Sequence, residues 1–149
     1  MVITEVVNVV MYERIQLEQE YNVKLHELQM YADQVAIINE KIERLQQLKM
    51  EFIEHKHDLI QLQNKLVTFS KEDTDEWMGD RRRQYKDLLK DEVIYGSLND
   101  YINKWDQNLD ELNNELVRLQ NELYRTENLI SSIKSILHNL STQIENLVN

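Results

Sequence analysis

The stretch LDELNNELVRLQNEL, residues 109–123, has a leucine at alternating steps of three and four residues. This spacing places all five leucines on one face of an α-helix, and coiled-coil helices use the same spacing to pack against each other. We assign Leu109 to the a position and Leu112 to the d position of a seven-residue repeat. Val117 apart, every intervening residue is polar or charged, which is typical of a helix with one buried face.

The same register extends from this stretch in both directions. It predicts one helix from about residue 75 to about residue 147, in which only Asp91 and Thr126 interrupt the apolar pattern. Gly96 falls at an outward position without shifting the register, so we predict a continuous helix with a weak point or kink near residue 96. The predicted a positions are Leu88, Tyr95, Ile102, Leu109, Leu116, Leu123, Ile130, Leu137 and Ile144. The predicted d positions are Asp91, Leu98, Trp105, Leu112, Leu119, Thr126, Ile133, Leu140 and Leu147.

The first half of the chain predicts a second long helix, from about residue 3 to about residue 68. Its apolar spacing shifts phase between Leu45 and Leu48, which resembles a local overwinding of a coiled coil. After the shift, the predicted inner face consists of Leu48, Phe52, His55, Leu59, Leu62, Leu66 and Phe69.

The apolar period lapses between the two helices. Residues 69–76 contain Ser70 and Asp73 at helix-capping spacing, and a Trp-x-Gly follows at 77–79. The chain has 149 residues, no proline and two glycines, so it has few residues that would end a helix. We therefore predict an all-α fold in a single domain, a long antiparallel two-helix hairpin that is coiled-coil-like, with its turn at about 69–76.

Both predicted helices carry more apolar residues than a two-helix hairpin can bury. Helix one has a second heptad-spaced row, and helix two has apolar residues that flank its main row. We predict that these residues bind a partner and complete a larger helical bundle. The predicted partner-binding residues of this kind are Ile53, Ile60, Val67, Ile94, Tyr101, Leu129 and Ile136.

The sequence offers no group of residues typical of catalysis or cofactor binding. It has no cysteine and no glycine-rich phosphate loop, and its acidic residues are spread over helix faces. Glu54 and His57 form one Glu-x-x-His, but a carboxylate-bridged metal site needs a second copy, which is absent. We therefore expect solvated histidines, no metal, no cofactor and no enzymatic activity.

The net charge of −10 disfavours nucleic acid as a partner, because phosphates repel an acidic surface. A short basic cluster, Arg81, Arg82, Arg83 and Lys86, could contact an acidic surface, but it also has nearby aspartates to pair with. We recognise no signal peptide and no apolar run long enough to insert into a membrane, and so expect a cytoplasmic location.

The Trp-x-Gly at the predicted turn is the most informative motif. Trp77 and Gly79 are followed six residues later by an aromatic, Tyr85. In this pattern the chain resembles the WXG superfamily of bacterial type VII secretion, whose members are helical hairpins that pair into four-helix bundles. It is most similar to the small accessory proteins of LXG-type toxins, which bind the toxin's long helical N-terminal targeting domain and prepare it for export.

The resemblance implies that Trp77, Gly79 and Tyr85 belong to a partner-binding surface. It also implies a helical domain of an LXG-type toxin as the partner, with room for a second small helical accessory protein and for co-export by type VII secretion. The chain departs from the family by its greater length and by lacking the Tyr-x-x-x-Asp/Glu export signal after the second helix. The related Phe-x-x-x-Asp pattern, from Phe69 to Asp73, precedes the Trp-x-Gly, and we interpret it as loop packing and a helix cap.

Two further functions remain open at this point. The chain could be a self-associating structural coiled-coil protein, such as a phage or cytoskeletal spacer, which would form a homo-oligomer. It could also be an immunity protein that blocks a toxin, although no feature of the sequence points to that function by itself. Our leading hypothesis is the adaptor or chaperone for an LXG-type toxin.

Overall fold

The computed structural model of the chain describes residues 2–71 and 79–148, and all of these residues are helical. Helix α1 spans Val2–Lys71, α2 spans Gly79–Leu88, a π-helix spans Leu89–Leu98, and α3 spans Asn99–Val148. The three last elements follow one another directly and form the second long helix. The predicted fold class is confirmed: the protein is an all-α helical hairpin.

The helix bounds differ from the predicted ones mainly around the turn. Helix α1 runs to Lys71, so residues 69–71, which we predicted to begin the turn, are helical. The rest of the predicted turn, together with Trp77, lies outside the described residues. Helix α2 begins at Gly79, whose φ of 54° lies in the left-handed region that glycine adopts without strain.

The second helix is continuous in its backbone but not uniform in its type. Gly96, where we predicted a weak point, lies inside the π-helix. A π-helix joins residues five apart instead of four and occurs in proteins mostly as short insertions in α-helices. Here it changes the face that the second helix presents to the first, without ending the helix.

Unit 1 is one of two compact units into which the hairpin divides, and it consists of Met1–Ile42 and Arg118–Asn149. Its buried residues come mainly from α3, at the predicted a and d positions. Thr126 is buried as well, and its hydroxyl donates a hydrogen bond of 2.9 Å to the carbonyl of Glu122, which removes the cost of burying a polar group. The buried residues of unit 1 are Ile38, Leu119, Thr126, Ile133, Leu137 and Leu140.

Unit 2 consists of Glu43–Val117. Its buried apolar residues are Ile94, Leu98, Leu112 and Leu116, and Lys86 is buried with them. An ion pair between Lys56 and Asp106 joins the two helices of this unit, with both side chains partly exposed.

A polar contact in unit 2 secures the end of the π-helix. The side-chain amide of Gln63, on α1, donates to the carbonyl of Ile94 at 2.8 Å and to Oδ1 of Asn99 at 2.8 Å. The backbone N–H of Asn99 bonds to the carbonyl of Gly96, only three residues before it. Gln63 therefore supplies a donor to a carbonyl at the junction where the hydrogen-bond pattern changes from π to α.

The predicted register is confirmed in one part of the second helix and wrong in another. From Leu98 to Leu147, every predicted a and d residue is buried or half-buried. Upstream, Leu88 and Tyr95 are each 52% exposed, while Ile94 is completely buried. The physical reason is the π-helix, which turns its own residues and those before it away from the face that a continuous α-helix would present.

Within residues 2–71 and 79–148, no helix has an apolar stretch long enough to cross a lipid bilayer.

Candidate helix-binding surface

An exposed row of side chains runs along α1 in unit 2. Leu48, His55, Leu62 and Phe69 follow each other at intervals of seven residues, and all four are exposed. We predicted these residues on the inner face, but their side chains remain exposed, and two of them, His55 and Phe69, still contact residues of the second helix. The residues that α1 turns inward lie beside the row and include Phe52, Leu59, Leu66 and the polar residues Lys56 and Gln63, all half-buried. We call Leu48, His55, Leu62 and Phe69 the outer row.

The middle of the outer row borders an aromatic cluster around Trp105. The ring of His55 stacks on the indole of Trp105, with centroids 5.4 Å apart, and Phe52 contacts the same indole edge-on at 4.8 Å. Beside this cluster lies an open cavity of about 280 Å³, lined by His55, Asp58, Leu59, Leu62 and Trp105. The cavity is wide enough for a large apolar side chain, and its walls are almost entirely apolar, with Asp58 at the edge.

The end of the outer row nearest the turn carries a positive charge. The ammonium of Lys86, on α2, lies 5.4 Å from the centroid of the Phe69 ring, a distance typical of a cation–π contact. This contact explains how a lysine can be buried at this place while its charged group keeps a favourable partner. The side chain of Phe69 itself remains partly exposed.

The second row that we predicted on α1 is more covered than expected. Ile60 and Val67 are half-buried, and only Ile53 is exposed, at 49%. Lys56 lies between Ile53 and Ile60 along the helix and pairs with Asp106, so this flank of α1 is in contact with the second helix. Ile53 remains available to a partner, whereas the other two residues offer little surface.

Of the flanking residues that we predicted on the second helix, one is buried and the others are exposed. The prediction that Ile94 lies on an open surface is wrong, because its exposure is 0% and the π-helix points it into the core of unit 2. Tyr101, Leu129 and Ile136 are exposed, as predicted. Tyr101 lies under the ammonium of Lys104, at 5.6 Å from its ring centroid.

Unit 1 has an open cavity of its own. It measures about 390 Å³, and its lining combines apolar and polar side chains. Ile136 is one of the lining residues, so one of the predicted partner-binding residues borders a concave surface. The lining residues are Gln16, Gln19, Glu20, Val23, Lys24, Ile136 and Leu140.

The structure describes two of the three residues on which the resemblance rests. Trp77 lies outside the described residues. Gly79 begins α2 with a positive φ, and a Cβ built there would meet nothing within 4 Å, so its backbone conformation and not crowding requires glycine. Tyr85 is 61% exposed on α2, which leaves its ring available for contact with another molecule.

Two observations on the described residues concern metal ions and buried polar atoms without a partner. No group of three or more His, Asp or Glu side chains there is placed to hold a metal ion. Within the same residues, no buried side-chain nitrogen or oxygen is left without a hydrogen-bond partner. Of the basic cluster, Arg81 and Arg83 are exposed and Arg82 is half-buried.

Comparison with known proteins gives no relative for this chain: no protein-family model, no curated protein and no solved structure matches it.

Proposed function

We propose that this chain is a helical adaptor or chaperone that binds the helical N-terminal targeting domain of an LXG-type toxin and promotes its export by type VII secretion. The observation that supports helix binding is the outer row of Leu48, His55, Leu62 and Phe69. Side chains at seven-residue intervals on a helix surface match the spacing of another helix better than that of any other element. The choice of partner rests on the resemblance at Trp77, Gly79 and Tyr85.

The proposed mechanism is burial of apolar surface by a partner helix. The outer row together with Trp105 forms one side of the interface, and the cavity beside Leu62 receives a large apolar side chain of the partner. Each large apolar side chain that becomes fully buried contributes about 1.5–3 kcal/mol, of which a part is offset by the loss of freedom on binding. The adaptor thereby keeps the apolar face of the partner away from water until export. No catalytic step is part of this proposal.

The exposed residues of unit 1 leave room for a second contact. Leu129 and Ile136 are exposed, and Ile136 borders the cavity of unit 1. A second small helical accessory protein would cover this surface. We propose that assembly takes place in the cytoplasm, before export.

Co-expression with a toxin domain tests the proposal. The chain is co-expressed with the helical N-terminal domain of an LXG-type toxin whose gene lies beside the gene for this chain. The molar mass of the purified material is then measured by light scattering. We expect a complex of defined stoichiometry. A homo-oligomer that does not bind the toxin domain would favour the alternative function, a structural coiled-coil protein. A gene placed among phage tail genes, with no LXG-type gene nearby, would overturn the secretion proposal.

A matched pair of variants tests the surface. Leu62→Glu places a charge in the middle of the outer row, and Val117→Glu places the same charge at an exposed apolar residue of unit 2 outside this row. We expect Leu62→Glu to weaken the complex by roughly tenfold or more, since truncating or charging a central anchor typically costs that much. Val117→Glu is expected to leave affinity unchanged. Equal effects of the two variants, measured by titration calorimetry, would show that the row is not the binding surface.

Trp77→Ala tests the resemblance separately. We expect it to leave helix content by circular dichroism nearly unchanged and to weaken partner binding or export, because the indole is proposed to contact the partner. A large fall in the melting temperature would instead assign Trp77 to the core of the hairpin. In that case the helix-binding proposal would stand on the outer row alone.

A further inference from the structure

The observed structure of the segment Leu89–Leu98 and its heptad pattern place different residues on the inner face of the helix. In the structure it is a π-helix, and within it and just before it Lys86 and Ile94 point inward while Leu88 and Tyr95 point outward. The heptad pattern of the sequence describes a different arrangement. A continuous α-helix in phase with α3 would place Leu88 and Tyr95 on the inner face, in line with Leu98.

We propose that Leu89–Leu98 is a conformational switch between these two registers, a π form that exposes Leu88 and Tyr95 and an α form that buries them. The change needs no break in the helix. A π-helix has more residues per turn than an α-helix, so converting ten residues rotates everything before them about the helix axis. Lys86 occupies the position opposite the predicted a and d face, and its burial in the π form is what such a rotation produces.

Each register places one charged residue on the inner side of the helix. The π form buries Lys86 and leaves two large apolar side chains in water, Leu88 and Tyr95. The α form would return Lys86 to solvent and cover the apolar pair, but it would place Asp91 at an inner d position and expose Ile94. Neither register satisfies all of these residues, and the proposed switch requires that contacts elsewhere select between the two forms.

Two features favour the π form in the structure. The amide of Gln63 donates to the carbonyl of Ile94, a carbonyl that the N–H of Leu98 would occupy in an α-helix. The second feature is Gly96, where a built Cβ would lie 3.3 Å from the carbonyl oxygen of Asp91, so that carbonyl would have to shift by a few tenths of an ångström to accept a side chain. Alanine at 96 is also more favourable than glycine in an α-helix.

The switch would control a surface on the second helix. In the π form Tyr85, Leu88 and Tyr95 are all exposed. A molecule that covers these side chains would stabilise the π form, and its removal would allow the segment to relax toward the α form. This inference concerns the chain itself and does not depend on the proposed toxin partner.

Single-cysteine labelling tests the switch, because the chain has no cysteine of its own. Leu88→Cys, Tyr95→Cys, an exposed reference Val117→Cys and a buried reference Leu116→Cys are each made, and their rates of reaction with a maleimide are measured. We expect the variants at 88 and 95 to react within a fewfold of the exposed reference. Protection equal to that of the buried reference would overturn the π register itself.

The same labelling is then repeated with Gln63→Leu and Gly96→Ala added. We expect the variants at 88 and 95 to react more slowly by roughly tenfold or more, since a buried cysteine reacts only after local opening. The rate of Val117→Cys should not change. Gln61→Leu is the matched control for Gln63→Leu, as Gln61 bonds only within its own helix, to His57, and it should leave all rates unaltered.

If Gln63→Leu and Gly96→Ala together lower the helix content, the single variant Gly96→Ala still tests the switch. Gly96→Ala alone adds one methyl group, and it should still slow labelling at 88 and 95. Unchanged rates at both positions in a helical Gly96→Ala protein would overturn the switch. Faster labelling at 88, 95 and 116 together would also overturn it, because that result indicates local unfolding and not a second register.

Discussion

Helix α3 and the segment before it carry the same heptad pattern, but only α3 uses that pattern for packing. From Leu98 to Leu147 the a and d residues form the inner face. In residues 79–97, Leu88 and Tyr95 continue the pattern and point to solvent, while Lys86 and Ile94 are buried. The difference shows that periodicity predicts a packed face only as long as the backbone keeps the α-helical number of residues per turn.

The largest loss of stability is expected when a charge is placed among the buried residues of α3. Leu116→Asp removes a buried leucine and leaves a carboxylate in an apolar environment. We expect a loss of about 4 kcal/mol or more in the free energy of unfolding, enough to prevent stable folding of a marginal hairpin. Urea denaturation followed by circular dichroism measures it, and a tolerated substitution would show that the assigned register of α3 is wrong.

A smaller effect is expected where α2 begins. Gly79→Ala forces a side chain into the left-handed region, at a cost of roughly 1–2 kcal/mol. Gly79→Asn is the matched control, because asparagine adopts this region more readily than alanine, so it should cost less. Thermal melts of the two variants compare the costs directly. Equal stability of the glycine, alanine and asparagine proteins would mean that Gly79 does not need a positive φ.

The smallest effect is expected at the residue that the heptad pattern would place inside. Leu88→Asp is the same type of substitution as Leu116→Asp, at a side chain that is half exposed. We expect a change in the free energy of unfolding within about 0.5 kcal/mol, as is usual for surface substitutions. A cost similar to that of Leu116→Asp would mean that the heptad face continues through the π-helix. The ratio of the two costs is therefore a direct measure of the register change.

Much of the fold follows from the sequence in physical terms. The spacing of leucines in α3, the absence of proline and the lapse of the apolar period after Phe69 predict two long helices and a hairpin. Thr126 was correctly predicted on the inner face despite its hydroxyl, because a helical threonine can satisfy that group with the carbonyl four residues earlier.

The π-helix could not be predicted in the same way. It depends on contacts between residues far apart in sequence, above all the hydrogen bond from Gln63 to the carbonyl of Ile94. Gly96 gave a local signal, which we interpreted as a weak point, but a glycine does not indicate which helix type surrounds it.

The candidate surface was only partly predictable for a related reason. Helix α1 carries two apolar rows, and the sequence does not say which of them faces the second helix. Lys56 and Gln63 mark the inner side of α1, since both contact the second helix, while Leu48, His55, Leu62 and Phe69 beside them remain exposed. A lysine and a glutamine at heptad spacing among apolar residues are the signal that could have identified the inner face.

The central claim is that the outer row is the surface that a partner helix covers, and side-chain footprinting with hydroxyl radicals tests it most directly. The chain is labelled alone and in complex with the helical domain of an LXG-type toxin. We predict that Leu48, His55, Leu62 and Phe69 lose most of their reactivity in the complex, while exposed Val117 and Tyr124 keep theirs. A complex in which the outer row stays as reactive as in the free chain would contradict the account.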